Sequence, residues 1–153
     1  MSAITPCIWF DGNAAAAARL YTSLFPNSRI DTDLSANEPE PLVVEFTLDG
    51  RPYMGLNGGP IFPHTEAFSL SIDCADQAEV DHYWEALLAD GGQTSQCGWL
   101  KDRFGLSWQV VPRVLMEKQR HGEPEKIGRM NEAMMKMVKL DVAALEAAYE
   151  GEQ

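Results

Sequence analysis

Cysteine and histidine are the side chains best suited to nucleophilic or metal-assisted chemistry, and the sequence holds three of each: Cys7, Cys74 and Cys97, and His64, His82 and His121. A thiolate becomes a nucleophile or a soft metal ligand when a neighbouring base or cation lowers its pKa. No histidine can be set beside Cys7 from the pattern, so the residue reads as a buried, inert thiol, with a nucleophile as the alternative. Cys97, next to Gly98 and Trp99 at a strand start, reads as core or turn packing rather than catalysis. The cysteines are odd in number and lack CxxC spacing, which argues against a disulfide framework or a structural zinc site and for reduced thiols. His64 lies in a Pro-flanked loop, His82 on the polar side of a helix and His121 in the C-terminal tail, and each reads as structural or solvated. Asn57-Gly58-Gly59-Pro60 has neither the GxxxxGK[ST] spacing nor the lysine of a phosphate loop and reads as a tight turn.

The elements that must position these residues form a pattern that occurs twice. Ile4 to Phe10 is β-branched and aromatic, and Asp11-Gly12-Asn13 supplies turn and N-cap chemistry before a helix. In that helix Ala17, Leu20, Tyr21, Leu24 and Phe25 recur at helical spacing, until Pro26-Asn27-Ser28 stops it. Strands are expected over 28–34, 42–48 and 51–56, the last after the turn Asp49-Gly50. The acidic stretch Asn37-Glu38-Pro39-Glu40-Pro41 reads as an exposed loop of little chemical consequence. The second half repeats the plan. Phe68 to Ile72 alternates like a half-buried strand, Asp76 and Glu79 form a capping-box-like start, and Gly91-Gly92 ends the helix. Val80, Tyr83, Trp84, Leu87 and Leu88 match the first stripe position by position, and Gly50 to Met54 matches Gly105 to Gln109.

This yields an α+β fold of two tandem βαβββ units, residues 4–60 and 66–112, forming a cupped antiparallel sheet, followed by a helical tail over 113–153, all within one domain of 153 residues. In the tail Pro124 suits a helix start and Asp141 can cap a last helix presenting Leu145 and Tyr149. Ile127, Met130, Met134, Met137 and Val138 line one face. The methionines, Met135 included, read as helix core or interface, with a soft lid as the alternative. The net charge of −11 disfavours nucleic acid, and no apolar run is long enough to span a bilayer. The start Met1-Ser2-Ala3-Ile4-Thr5-Pro6 lacks the regions of a signal peptide, so a cytoplasmic location is expected.

Three stretches carry a family resemblance: Phe10-Asp11-Gly12-Asn13-Ala14 leading to Leu20-Tyr21, Met54-Gly55-Leu56-Asn57-Gly58-Gly59-Pro60, and Cys97 to Gln109 with its Asp-x-Phe-Gly-x-x-Trp pattern. On these the chain resembles the vicinal oxygen chelate (glyoxalase/bleomycin-resistance/dioxygenase) superfamily, and within it the PhnB-like branch labelled 3-demethylubiquinone-9 3-methyltransferase-like. The resemblance covers residues 4–112 in topology, and the segment from Met135 to Tyr149 is similar to the tail of that branch. It implies paired units around a small-molecule site and a homodimer that shares modules.

Metal-using members of the superfamily carry His or Glu ligands on equivalent inner strands. Alignment of the two helices puts Thr5 or Pro6, Ala67 and Gln109 at those places. A hydroxyl, a methyl and a neutral amide lack the charge and basicity a divalent cation needs, so neither metal nor cofactor is expected. Strand alternation turns Cys7, Trp9 and Met54 of the first unit, and Ser69, Ser71 and Gln109 of the second, toward the cup, and Trp99 joins them. Trp9 and Trp99 are stacking platforms in this reading, or simply core. Such a pocket suits a small polar or planar ligand, and a small-molecule binding protein is the expected function. The alternative is a glyoxalase- or dioxygenase-like enzyme, metal-independent or with a non-standard metal site. A methyltransferase fits least, because no glycine-rich strand-to-helix turn is present.

Overall fold

Both sheets place a parallel strand pair beside antiparallel ones. The computed structural model describes residues 4–35 and 39–152, and the chain forms two compact units, Met1–His64 and Thr65–Gln153. The first comprises β1 (Cys7–Phe10), α1 (Ala14–Leu24), β2 (Arg29–Ile30), β3 (Val43–Leu48) and β4 (Arg51–Asn57), with strand order β1-β4-β3-β2. The second comprises β5 (Ser69–Cys74), α2 (Gln77–Leu88), β6 (Gln93–Thr94), β7 (Trp99–Lys101) and β8 (Ser107–Pro112), in the corresponding order β5-β8-β7-β6. The same non-sequential order in both halves is what an internal duplication leaves behind.

The sheets of the expected α+β fold, read from the pattern as antiparallel, are mixed. β1 runs parallel to β4 and β5 parallel to β8, while the remaining pairs are antiparallel. A helix follows the first strand of each unit, and the two intervening hairpin strands return the chain so that the last strand lies alongside the first in the same direction. β2 is also shorter than expected. The N–H groups of Asp31 and Thr32 both turn to the carbonyl of Glu45, at 2.8 and 3.2 Å, and the regular ladder ends at Ile30.

The helices bury matching positions. Ala17 and Tyr21 in α1, and Val80 and Trp84 in α2, are buried against their own sheets, and Leu20 and Tyr83 are each half-buried. The centre of the α1 stripe is nevertheless alanine, with Ala14, Ala15, Ala17 and Ala18 all buried. Small side chains let the helix approach the sheet closely: a Cβ at Gly55 would lie 3.1 Å from that of Ala14.

Capping differs between the two helices. In α2, Asp76 accepts the N–H of Glu79 at 3.0 Å and Glu79 takes the N–H of Ala75 at 2.8 Å, a reciprocal arrangement close to the expected capping box. At α1 the expected cap Asn13 makes no side-chain cap bond, and its Oδ1 is buried without a partner. Two distant residues substitute for it. Asn57 Oδ1 accepts the N–H of Ala14 at 2.9 Å, and Glu40 Oε1 that of Ala15 at 2.8 Å. Glu40 also receives Asn57 Nδ2 at 3.2 Å, so the acidic stretch expected to be inconsequential holds the helix start. Asn37 and Glu38 of that stretch lie outside the described residues.

The tail comprises α3 (Arg113–His121), α4 (Pro124–Met134) and α5 (Val142–Glu150). Val111, Leu115, Met130, Leu140, Leu145 and Tyr149 form a buried cluster, joined by Ile127, Met134 and Met137, so most of the apolar face expected to seek a partner packs on the second unit itself. Val138 does not join it and is 41% exposed, because α4 ends before it. Asp141 caps α5 through the N–H of Ala144 at 3.0 Å, as its position implies. Gln77 of α2 clamps the tail, donating to the carbonyl of Leu140 and accepting the N–H of Val142.

Candidate functional site

Each sheet has one face under its helix and one face away from it. In the first unit Ile8, Phe10, Val44 and Phe46 are buried on the helix side. Alternation sends Cys7, Trp9 and Met54 to the other side, where Cys7 and Met54 are register partners on adjacent strands. These three candidates therefore share a face. Cys7 is exposed, which corrects the expectation of a buried thiol: at the first position of an edge strand it has a neighbouring strand on one side only. The buried thiol is Cys74, on the helix face of β5. Burial, helped by the carboxylate of Glu79, pushes its pKa up to about 12, and a thiol so held is inert.

Trp9 is half-buried because the loop after β4 folds onto it. Its indole N–H donates to the carbonyl of Gly59 at 2.8 Å, and Phe62 meets it edge-on with ring centroids 4.8 Å apart. The Asn57-Gly58-Gly59-Pro60 turn thus seats an aromatic ring and caps a helix.

The corresponding face of the second unit is more polar and more regular. Ser71, Gln109 and Trp99 stand in one row across β5, β8 and β7, and Ser69, Ser107 and Lys101 form the next row. Gln109 Nε2 donates to Ser69 Oγ at 3.0 Å. All four candidates of this unit, Ser69, Ser71, Trp99 and Gln109, therefore come together on one face. Lys101 and Ser107 belong to the same grid but were not among the expected residues, although their i±2 spacing from Trp99 and Gln109 carries that information. Lys101 Nζ pairs with Glu66 Oε1 at 2.5 Å, and the hydrogen bond from Lys101 holds the Glu66 carboxyl below its usual pKa.

The positions expected to correspond to metal ligands also shift. Ala67 is exposed and precedes β5, and Thr5 precedes β1. The residue bonded to Gln109 is Ser69, one turn of the pleat further on. A hydroxyl and a carboxamide do not fit a divalent cation. Among the described residues, no three His, Cys, Asp or Glu side chains are grouped as a metal site would need. His64 packs against the ring of Phe10, His82 against Tyr83, and His121 is exposed at the end of α3.

The most specific sequence motif turns out to be structural. Asp102 is buried, Oδ1 accepting the N–H groups of Phe104 and Leu106 and Oδ2 the indole N–H of Trp108. Cys97, at φ 60°, and Gly98 donate their N–H groups to the carbonyls of Met137 and Val138, which makes this pair the tail's docking bracket. A groove of about 530 Å³ lies between α2 and the tail, lined by Gln77, Asp81, Lys139 and Asp141 among others. Four of its polar side chains already have partners: Lys139 pairs with Asp81 at 2.7 Å, and Gln77 and Asp141 hold the start of α5.

Two βαβββ units of one strand order, each with a helix-free sheet face, are the fold elements of the vicinal oxygen chelate class. The model of one family, described as 3-demethylubiquinone-9 3-methyltransferase, matches residues 2–111, and the chain belongs to that family. The helical tail lies outside the match. Among solved structures, the PhnB protein of Bacillus cereus is 30% identical, with a TM-score of 0.64 over 72% of this chain and 99% of that one. A Pseudomonas aeruginosa protein is 21% identical, with a TM-score of 0.58 over 73% of this chain and 98% of its own. The fosfomycin resistance protein FosX of Listeria monocytogenes, complexed with Mn(II) and sulfate, shares the fold at 17% identity and a TM-score of 0.54, over 78% of this chain and 98% of its own. No curated protein matches the chain.

Proposed function

We propose that the chain binds a small polar or planar molecule on the helix-free sheet faces, without a resident metal. The observation that carries this reading is the Ser69–Gln109 hydrogen bond in a grid with Ser71 and Trp99, where neutral donors and acceptors flank an indole. Such groups orient a ligand by hydrogen bonding and stacking. They do not supply an acid, a base or a strong Lewis acid. In the first unit Cys7, Trp9 and Met54 provide a softer counterpart. Methyl transfer, which the family's description names, finds no support in a glycine-rich cofactor turn.

The same reading takes the working form to be a homodimer in the cytoplasm. Ile61 is 71% exposed and Phe62, against Trp9, 61% exposed, which is apolar surface that a second copy would cover. Three unpaired cysteines suit a reducing compartment. Sedimentation of a stable 17.0 kDa monomer would count against the dimer.

The decisive experiment is a thermal-shift screen of small metabolites and antibiotics, run with and without Mn²⁺, Fe²⁺, Zn²⁺ and Ni²⁺. Stabilisation without metal, reduced in Gln109→Ala, is the expected result. Stabilisation that requires metal, or turnover of the bound compound, would replace the binding role by an enzymatic one.

A further inference from the structure

Ser107 is 1% exposed and its Oγ has no hydrogen-bond partner, although buried hydroxyls are almost always paired. Its surroundings explain the burial. Alternation places Ser107 on the Gln109 face of β8, and the register sets it between Ser69 on β5 and Lys101 on β7. Lys101 leaves β7 on that same face and reaches Glu66, in the segment that leads into β5. β5 and β7 flank β8 on opposite sides. The side chains of Lys101 and Glu66 together therefore bridge the two strand spacings between β7 and β5, about 10 Å, on the Ser107 side of β8. Neither bonds the Ser107 hydroxyl.

Glu66 itself has few ties. Its side chain is 59% exposed, and its ion pair is with Lys101. A carboxylate on an exposed turn is thus held against a lysine on the sheet face that carries an unused buried donor, Trp99 and Gln109. We propose that Lys101 and Ser107, with Ser69 alongside, form a carboxylate-binding subsite that Glu66 occupies in the free protein and yields to a ligand. One carboxylate replaces another on Lys101, Glu66 swings into solvent, and Ser107 gains the hydrogen bond it lacks. The exchange is balanced in charge and adds a bond. A single lysine and one or two hydroxyls suit a singly charged group better than a dianion.

The rest of the ligand follows from the grid. Trp99 lies two residues from Lys101 on the same face of β7. A planar ring joined directly to a carboxylate on Lys101 has the indole as its stacking partner on that face. The ligand class is therefore a small aromatic or planar carboxylate. This inference rests on the small-ligand reading above and adds its charge and its competitor.

The test uses benzoate as the probe and neutral benzamide as its isostere, titrated into the full chain by calorimetry at low salt. Glu66→Gln removes the internal competitor and is expected to tighten benzoate binding by about fivefold, while Lys101→Met weakens it by about tenfold and Ser107→Ala by several-fold. Benzamide binds weakly and alike in all four proteins. Circular dichroism melts establish that each variant is folded, and Glu66 and Lys101 are surface groups whose replacement leaves the core intact. Benzoate affinity that is equal in all four proteins, or absent even in Glu66→Gln, overturns the subsite. If a neutral compound stabilises the protein in the thermal screen all the same, the small-ligand reading survives that result. If nothing does, both fall.

Discussion

Gly58 lies directly beneath the indole of Trp9: a Cβ at residue 58 would come within 2.2 Å of the ring. Glycine is needed there for space, whereas the neighbouring Gly59 has room around it but sits at φ +91°. Gly58→Ala must swing Trp9 out, breaking its bond to the Gly59 carbonyl and its contact with Phe62. A loss of about 2 kcal/mol is expected, together with a shift in tryptophan emission. Gly59→Ala should cost about 1 kcal/mol by backbone strain alone and leave the emission unchanged. Urea titration followed by fluorescence separates the two, and an unchanged emission in Gly58→Ala would contradict the packing.

Asp102 carries three donors on one buried carboxylate. Its replacement by Ala strands two backbone N–H groups and the Trp108 indole, and about 3 kcal/mol of stability should go with them. Trp108→Phe removes only the last of these bonds and should cost less than Asp102→Ala. Denaturation midpoints with an unchanged m-value would establish the ranking.

The start of α1 gives a contrast between neighbours in sequence and neighbours in space. Asn57→Ala should destabilise by about 1 kcal/mol, since it removes the acceptor for Ala14. Asn13→Ala, at the nominal cap position, should be neutral or slightly stabilising, because its buried Oδ1 has no partner to lose. Equal losses from the two variants in chemical denaturation would refute the assignment.

The cysteines should separate by reactivity and by pH. Iodoacetamide is expected to modify Cys7 in the native protein and Cys74 only after unfolding, which peptide mass mapping reads directly. Because the folded-state pKa of Cys74 is raised from 9.0 to about 12, its contribution to stability is complete below pH 9 and is lost as the pH rises toward 12. Within that window stability should fall by about 1.4 kcal/mol per pH unit from this group. Cys74→Ala should flatten the alkaline limb, and a limb of unchanged slope would show that another group controls it.

What could be read from the sequence, and what could not, follows from the range of each interaction. The two helices, their stops and the α2 capping box rest on residues within one or two turns of each other, and period and cap chemistry expose them. The shared face of Ser69, Ser71 and Gln109 follows from strand alternation. The parallel pairing of Cys7 with Met54 and the capping of α1 by Glu40 and Asn57 join residues 25 or more positions apart, and no local pattern encodes them. The same holds for Glu66 and Lys101. The exposure of Cys7 depends on its lying at a sheet edge, which only the strand order reveals.

Asn57 ends β4 and also holds the first N–H of α1. A chain emerging from the ribosome can form the α1 backbone early, but it cannot close the parallel ladder or cap that helix until residue 57 has cleared the exit tunnel. From then on, every ladder of the first unit is within reach, with no part of the second yet required. The order of synthesis thereby sets the first half apart as a folding step of its own. The second must wait longer, because Gln77 has its tail partners only after Val142.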